Sequence, residues 1–454
     1  MKKNLLLAFA AVCALGANAQ TFSVSGINYN ILDEDAATVE IAPGDYSKLT
    51  VTLTETVTDE ATGKTYTVIG LGNEAFKNTS FKVPGTGVFW LPATITNIGI
   101  DALNGFTNYA ANPDMPGTYF CGMRGVITNL DPKAVRGNKL NKFNLSKGGR
   151  YCAMSELDGH HSGLIITADK DTLVNYPGMH RTGTNDTYGI ITGYNMLESI
   201  KHVGDYAFWK NENLTRVGLP EGLLSIGEEA FYGSVLKEFN LPTTVEKLGD
   251  GFLAGAIVLT DITVTVGNEN FTAIDGNLYT IDGKTLVVAP GGKDSVGVAD
   301  GVTTIGKFAG REGRYTQVVL PATTTELLEG AFAGSKLLTS VTVKATVPPT
   351  GGTEFAEAAY NNATLYVPKG CVATYQAAEG WKEFSSIEEI QDDEPQGLKG
   401  DLNEDTLVDI ADLNILINMI LGSTQSTSAA DLNEDTLIDI ADLNALINII
   451  LGIE

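Results

Sequence analysis

Cysteine and basic residues are scarce in this chain, and each shortage argues against a class of protein. Four cysteines in 454 residues are too few for a scaffold held together by disulfides. Thirty Lys and Arg against 55 Asp and Glu give a formal net charge of −25, which disfavours nucleic acid and anionic lipid as partners. Only 19% of residues are charged while 50 are glycine, a composition that favours short strands and turns over long helices.

The sequence also lacks an apolar run long enough to span a membrane, which takes about 20 residues. Near the start, a short apolar run from Leu5 to Leu15 follows two lysines and precedes an Ala-Asn-Ala site, as in a secretory signal peptide. We predict a signal peptide over residues 1–19, cleaved after Ala19, and a secreted or cell-surface protein. Val12 stands before Cys13 where a lipid-attachment motif prefers a small residue, so lipidation is the weaker alternative.

Three cysteines remain after this cleavage: Cys121, Cys152 and Cys371. Cys121 and Cys152 fall in one segment and can pair in an oxidising compartment. The sequence leaves open whether they do.

The C-terminal residues contain one acidic twelve-residue pattern twice. Residues 401–412 read DLNEDTLVDIAD, and residues 431–442 read DLNEDTLIDIAD. Calcium takes six to eight hard oxygens, and a twelve-residue loop supplies them from positions 1, 3, 5, 7, 9 and 12. We therefore predict two Ca²⁺ ions, one per loop, with position 7 acting through its backbone carbonyl and position 9 through water. The predicted ligands are Asp401, Asn403, Asp405, Leu407, Asp409 and Asp412, and Asp431, Asn433, Asp435, Leu437, Asp439 and Asp442.

Charge and loop chemistry set expectations for these sites. Residues 400–454 contain no Lys or Arg, so their carboxylates repel one another unless a cation lies between them. We expect a tail that folds fully only with metal, since metal binding energy then becomes folding energy. Thr406 and Thr436 stand where the loop usually has Gly, and position 12 is Asp rather than Glu. Calcium binding weaker than in a cytosolic sensor follows.

Each acidic pattern leads into an apolar segment with helical periodicity. Apolar residues recur at i, i+3, i+4 and i+7, which places them on one face of a helix. Two such helices can bury these faces against each other. The two sets are Leu413, Leu416, Ile417 and Ile420, and Leu443, Leu446, Ile447 and Ile450.

Residues 400–454 resemble a type I dockerin: two loop-and-helix repeats with Asp at position 12, no entering helix and a short linker between copies. The resemblance implies that the tail docks to a cohesin-type protein domain. It also implies that loop positions 10 and 11 contact the partner; here they are Ile410, Ala411, Ile440 and Ala441. We expect recognition by apolar contact, since better-known members have hydroxyl residues there.

The middle of the chain repeats a pattern of Gly, Ala and Phe every 22 to 23 residues. Its clearest copies are VGDYAF at 203–208, IGEEAF at 226–231 and LGDGF at 248–252, each followed by a short β-like run. One such unit cannot bury its own apolar residues, so the units are predicted to stack and to pair their strands. This region resembles the BspA-like leucine-rich repeats of secreted and surface bacterial proteins. The likeness extends over most of residues 67–390 and is poorest at 107–198.

The predicted fold class is α+β: a leucine-rich-repeat solenoid with short β-strands, followed by a small all-α calcium-binding dockerin-like domain. The predicted segments are a signal peptide at 1–19, an N-terminal β cap at 20–66, repeats at 67–390 with a C-terminal cap near 363–390, a linker at 391–399 and the dockerin-like domain at 400–454.

Signals for catalysis are weak. Gly-Lys-Thr at 63–65 and 283–285 lacks the preceding Gly of a phosphate loop, and no G-x-S-x-G motif occurs. His160 and His161 lack a metal-ligand pattern around them. We therefore predict a non-catalytic binding or adhesion protein whose repeats present a surface to an unknown protein or glycan.

Two other functions stay open at this stage. Dockerins often occur on polysaccharide-degrading enzymes, and the acidic composition leaves a glycosidase pair possible. The tail can also be only a calcium-stabilised structural cap. Trp90 and Trp209 can stack on sugars if exposed, whereas Trp381 is expected in the core of the C-terminal cap.

Overall fold

The computed structural model divides the chain into two compact units, Met1–Glu389 and Ile390–Glu454. It describes residues 20–46, 52–83, 88–110, 120–140, 142–146, 149–153, 163–178, 181–182, 189–391, 400–403, 407–421, 430–433, 435 and 437–451. The predicted signal peptide and almost all of the predicted linker lie outside these residues, as do Asp405, both loop threonines and the His160–His161 pair.

The first unit is built from short strands. The first twelve are β1 Thr21–Val24, β2 Ile27–Asp33, β3 Thr38–Ile41, β4 Thr56–Thr58, β5 Thr65–Leu71, β6 Ser80–Val83, β7 Val88–Leu91, β8 Asn97–Ile98, β9 Thr107–Ala110, β10 Phe120–Met123, β11 Asn129–Leu130 and β12 Lys142–Leu145. The next twelve are β13 Tyr151–Ala153, β14 Ile165–Thr167, β15 Thr172–Asn175, β16 Arg181–Thr182, β17 Gly189–Ile190, β18 Gly193–Asn195, β19 His202–Val203, β20 Arg216–Gly218, β21 Ser225–Ile226, β22 Phe239–Leu241, β23 Lys247–Leu248 and β24 Ile262–Val264.

The C-terminal part of this unit adds ten strands and three short helices. The strands are β25 Phe271–Ile274, β26 Asn277–Thr280, β27 Thr285–Val288, β28 Ser295–Gly297, β29 Thr304–Ile305, β30 Gln317–Leu320, β31 Glu326–Leu327, β32 Ser340–Val343, β33 Thr364–Val367 and β34 Ser386–Glu389. The helices are α1 Glu357–Asn362, α2 Val372–Ala377 and a 3₁₀-helix at Trp381–Glu383. The second unit contains α3 Ile410–Ile420 and α4 Ile440–Leu451.

Parallel pairing between successive repeats makes the first unit a solenoid. Strands β19, β21 and β23 pair in parallel along one ladder, and β18 with β20 and β22 with β24 pair in parallel on another. The same arrangement recurs before them in β7, β10 and β12, and after them in β28, β30, β32, β33 and β34. Each repeat therefore contributes one strand to each of two ladders.

The repeat aromatics form the core. Phe208 and Phe231, at equivalent positions in successive repeats, stack with ring centroids 4.7 Å apart. Phe239 packs edge-on against Phe231 at 5.5 Å. All three are buried, as the predicted stacking requires.

The predicted solenoid of short β-strands is confirmed, and it contains few helices. Among the described residues of the first unit, helix is limited to two six-residue helices and one 3₁₀ turn, so this unit is mostly β. Tight turns connect the strands in place of helices, and several of these turns hold a residue in the left-handed backbone region. Gly251 and Gly330 occupy this position with φ of 63° and 66°, where an L side chain is strained by about 1–2 kcal/mol.

Five repeats hold a larger residue at this left-handed position: Glu74, Asp101, Tyr206, Glu229 and Phe308, with φ of 61°, 55°, 60°, 46° and 57°. Two of these side chains make hydrogen bonds to other repeats. The Tyr206 hydroxyl donates to Glu228 Oε1 at 2.8 Å, and Glu229 Oε1 accepts from Arg311 at 2.8 Å. The strain is thus offset by contacts along one edge of the solenoid.

Two arginines link turns that are far apart in sequence. The Arg311 guanidinium donates a hydrogen bond to Glu229, 82 residues earlier in the sequence. It also lies 5.0 Å from the centroid of the Tyr232 ring. Arg136 holds Asp101 with two hydrogen bonds of 2.7 and 3.0 Å, and lies 4.9 Å from the Trp209 ring centroid. The contact of Arg311 with Glu229 spans the strands β25, β26 and β27, whose antiparallel pairing interrupts the parallel ladders.

We predict that Arg311→Ala lowers the free energy of unfolding by about 2–3 kcal/mol. The substitution removes a charge-assisted hydrogen bond and a cation–π contact in a half-buried setting. Urea unfolding measures the change. Arg314→Ala is the matched control, because Arg314 is exposed, and an equal loss in the control would contradict the role of Arg311.

The three described cysteines are free thiols, so no disulfide joins Cys121 and Cys152 in this structure. Cys121 lies in β10 with its side chain in the core. Burial raises the pKa of this thiol to about 12, which keeps it protonated and unreactive.

Candidate metal centre and docking face

The two helices of the second unit begin at position 10 of each acidic pattern because the aspartate at position 9 caps each of them. The Asp409 side chain accepts a hydrogen bond from the Ala411 N–H at 2.7 Å, and Asp412 Oδ2 accepts from the Asp409 N–H at 2.9 Å. This reciprocal pair is a capping box, which satisfies N–H groups that the first helical turn leaves unpaired. Asp439 makes the matching bond to Ala441 at 2.7 Å.

Position 12 of each loop is a buried carboxylate. Asp412 and Asp442 are both fully buried. Asp442 Oδ1 accepts from the N–H groups of Leu432 and Asn433 at 2.7 and 3.1 Å. Asp412 makes the same bonds to the first loop. Each aspartate therefore ties the start of its loop to the start of the following helix.

These bonds favour the ionised form of Asp442. Burial alone would raise the pKa of Asp442, but hydrogen bonds from the N–H groups of Asp439, Asn433 and Leu432 outweigh burial and lower it. Because the pKa of Asp442 is lower in the folded loop than in the unfolded chain, its ionised carboxylate stabilises the fold at pH values above the unfolded-state pKa. That contribution is lost as the pH falls through the folded-state value.

Two side-chain oxygens of the second loop lie close together, beside the backbone nitrogen of Asp435. Asp431 Oδ1 and Asn433 Oδ1 accept from one nitrogen, the Asp435 N–H, at 3.1 and 3.0 Å. Asp435 Oδ1 accepts from the Leu437 N–H at 2.9 Å, which keeps this carboxylate within the loop. All of these atoms are hard oxygens of the kind calcium prefers, so the residues present fit the ion.

Not every predicted ligand is brought together. Asp405 lies outside the described residues, so the first loop shows only part of its set. Among the residues that the structure describes, no three Asp, Glu, His or Cys side chains form a group placed to hold an ion. The carboxylates of Asp409 and Asp439 instead cap α3 and α4, a role that the spacing of ligands alone did not predict.

A small apolar core joins the two loop-and-helix repeats. Leu416 and Leu446 are fully buried, one in each helix, and Met419, Ala430 and Leu432 complete the buried cluster. The predicted stripe is otherwise only partly buried, including Leu413, Ile420, Leu443 and Ile450. With so few buried side chains, this unit depends on its loops for stability.

The predicted partner-contact residues lie on the surface. Ile410 and Ile440 are 68% and 67% exposed, and the alanine after each is also exposed. An exposed isoleucine side chain makes no hydrogen bond with water. Two equivalent exposed copies, each in the first turn of a helix, therefore indicate a surface available for contact.

Two family models match the chain. The BspA type leucine rich repeat region matches in six copies over residues 188–281 and 294–390, and the dockerin type I domain matches residues 399–451. The chain contains BspA-type leucine-rich repeats and a C-terminal type I dockerin domain. Dockerin domains of this type generally bind calcium and dock to cohesins.

Solved structures similar to the chain are bacterial leucine-rich repeat proteins. A leucine-rich cell surface protein from Faecalibacterium prausnitzii A2-165 is 18% identical over 82% of this chain and 95% of that chain, with a TM-score of 0.36. The pneumococcal vaccine antigen PcpA is 13% identical over 82% of this chain and 98% of that chain, with a TM-score of 0.32. A leucine-rich repeat protein from Bacteroides ovatus ATCC 8483 is 17% identical over 82% and 100%, with a TM-score of 0.33. No curated protein matches the chain.

The tryptophans of the leucine-rich repeat unit have three different environments. Trp381 is fully buried in the C-terminal part of the unit, as predicted. Trp209 is half-buried beneath Arg136 and Lys210, whereas Trp90 is 38% exposed. They therefore do not form an exposed row for a sugar chain. Within the described residues, no helix is long and apolar enough to cross a membrane.

Proposed function

We propose that this protein is a secreted, non-catalytic binding protein whose calcium-loaded dockerin domain attaches it to a cohesin-bearing partner. The observation that carries the proposal is the duplicated loop and helix, with a buried aspartate at position 12 and an exposed isoleucine two residues before it. One calcium ion per loop would be held by the twelve predicted oxygen donors, and Ile410, Ala411, Ile440 and Ala441 would contact the cohesin. The predicted segments, with the signal peptide at 1–19 and the linker at 391–399, belong to this proposal.

The chain's own residues explain how calcium would promote docking. A bound ion would supply the positive charge that lets the loop carboxylates approach one another. The position 12 aspartates would then fix the loops to α3 and α4. Since Ile410 and Ile440 are the first residues of these helices, a fixed loop also fixes the isoleucine side chains for contact.

The surface of the repeats offers a site for a second ligand, a protein or a glycan. An open groove of about 440 Å³ lies over β20, β22 and β24. Its lining includes Arg216, Glu238, Asn240, Asp261 and Thr263. The groove is also lined by Val217, Leu219 and Phe239, so it offers both hydrogen-bonding groups and apolar surface to a ligand.

Capture by immobilised cohesin domains tests the docking function. We expect the full chain to bind in millimolar calcium and to be released by a chelator, while Asp412→Ala/Asp442→Ala is not captured. Capture that persists with chelator would contradict calcium-dependent docking. Calcium uptake without capture by any cohesin would instead leave the tail as a structural cap, and sugar release from a glycan panel would overturn the non-catalytic assignment.

A further inference from the structure

An exposed leucine stands at loop position 7 in each repeat of the dockerin domain. Leu407 and Leu437 are 60% and 62% exposed. In the proposed site this position serves calcium through its backbone carbonyl, so metal binding does not require an apolar side chain there. The same residue type with the same exposure in both copies points to a use outside the metal site.

These leucines extend the apolar surface that begins each helix. Leu407, Ile410 and Ala411 are exposed within five consecutive residues, and Leu437, Ile440 and Ala441 repeat the arrangement. A single exposed leucine is ordinary, whereas clustered apolar side chains on a small unit indicate a protein contact. The three exposed residues of each repeat form what is called a loop–helix face below, one face per repeat.

The charge around the loop–helix face restricts what can bind it. Residues 400–454 contain eleven Asp and Glu and no Lys or Arg. Two calcium ions would offset four of these charges, so the unit stays anionic when loaded. A second copy of this chain is a poor occupant, because the whole chain carries a net charge of −25 and like charges repel across an interface.

We infer that the surface recognised by this dockerin is an apolar patch surrounded by Lys and Arg side chains, and that the leucine of a loop–helix face, Leu407 or Leu437, contacts the patch together with the isoleucine of the same face. The inference rests on the proposed docking function and specifies the partner's chemistry. Leucine supplies contact area, and the basic rim supplies attraction and excludes partners with acidic surfaces.

The test measures the affinity of the calcium-loaded full chain for a panel of cohesin domains that differ in surface charge. We expect binding to domains with a basic rim, and weaker binding as NaCl rises from about 50 to about 500 mM, because salt screens exposed charges. Leu407→Gln/Leu437→Gln is expected to lose about tenfold or more in affinity. Its calcium stoichiometry should stay at the wild-type value, since the backbone carbonyls remain.

Leu421→Gln/Leu451→Gln is the matched control, because these leucines are 71% and 62% exposed at the other end of the helices. An equal loss in both double variants, binding that ignores salt, or preference for acid-rimmed domains would overturn the inference while leaving docking intact. Failure of the wild-type chain to bind any domain of the panel would overturn both the inference and the proposed docking function. Calcium-independent capture with leucine-dependent affinity would overturn only the calcium requirement of the proposed function.

Discussion

Replacing both position 12 aspartates, Asp412→Ala/Asp442→Ala, is expected to abolish the helical signal of the dockerin domain even in millimolar calcium. Each carboxylate is fully buried and accepts N–H groups from the start of its loop and from the helix cap. Each orphaned N–H costs about 1–3 kcal/mol. Among the described residues of the unit, a buried cluster of five side chains resists this loss.

Circular dichroism at 222 nm measures this effect on the full chain. The helical signal reports mainly α3 and α4, because the described helices of the repeats are at most six residues long. Asp412→Asn/Asp442→Asn is the matched control: it keeps one acceptor oxygen per side chain but removes the charge, so we expect partial helix and weakened calcium binding. A double alanine variant that keeps both its helix and its calcium would show that the position 12 carboxylates are not needed.

Trp381→Ala is expected to lower the free energy of unfolding of the repeats by about 3–5 kcal/mol. The indole is fully buried, donates from Nε1 to the Pro349 carbonyl at 2.7 Å, and packs edge-on against Phe355 at 5.7 Å. Its loss leaves a cavity and an unpaired carbonyl near the end of the stack. Because each repeat is stabilised by its neighbour, unfolding should spread from this end.

Hydrogen exchange on the full chain locates that effect, and urea unfolding measures its size. We expect faster exchange first in β33 and β34, and then in β32. Trp90→Ala serves as the control, since Trp90 is 38% exposed and its main partner is Arg124 at 4.8 Å. The control should lose about 1 kcal/mol, and equal losses would mean that Trp381 does not stabilise this end of the solenoid.

What the sequence predicted well was local and periodic. The repeat period follows from Phe208 and Phe231 at equivalent positions, and the apolar stripes from Leu413 and from Leu443 predicted the two helices α3 and α4. The calcium ligands and the contact role of Ile410 and Ile440 stay predictions. Predictions of this kind need only neighbours within a few tens of residues, which a pattern can contain.

What the sequence did not reveal depends on distant or backbone-level effects. Arg311 meets Glu229 across 82 residues, and no local pattern links them. The helices begin at Ile410 and Ile440, three residues before the apolar stripes that predicted them, because Asp409 and Asp439 act as caps. The Asp-x-x-Asp spacing at 409–412 and 439–442 was the available signal for these caps.

Calcium titration of the full chain by calorimetry tests the central claim most directly. The account predicts two bound ions per chain in the millimolar range or tighter, accompanied by a gain of helix at 222 nm, with both changes absent in Asp412→Ala/Asp442→Ala. No calcium uptake by the wild type at millimolar concentration would contradict it.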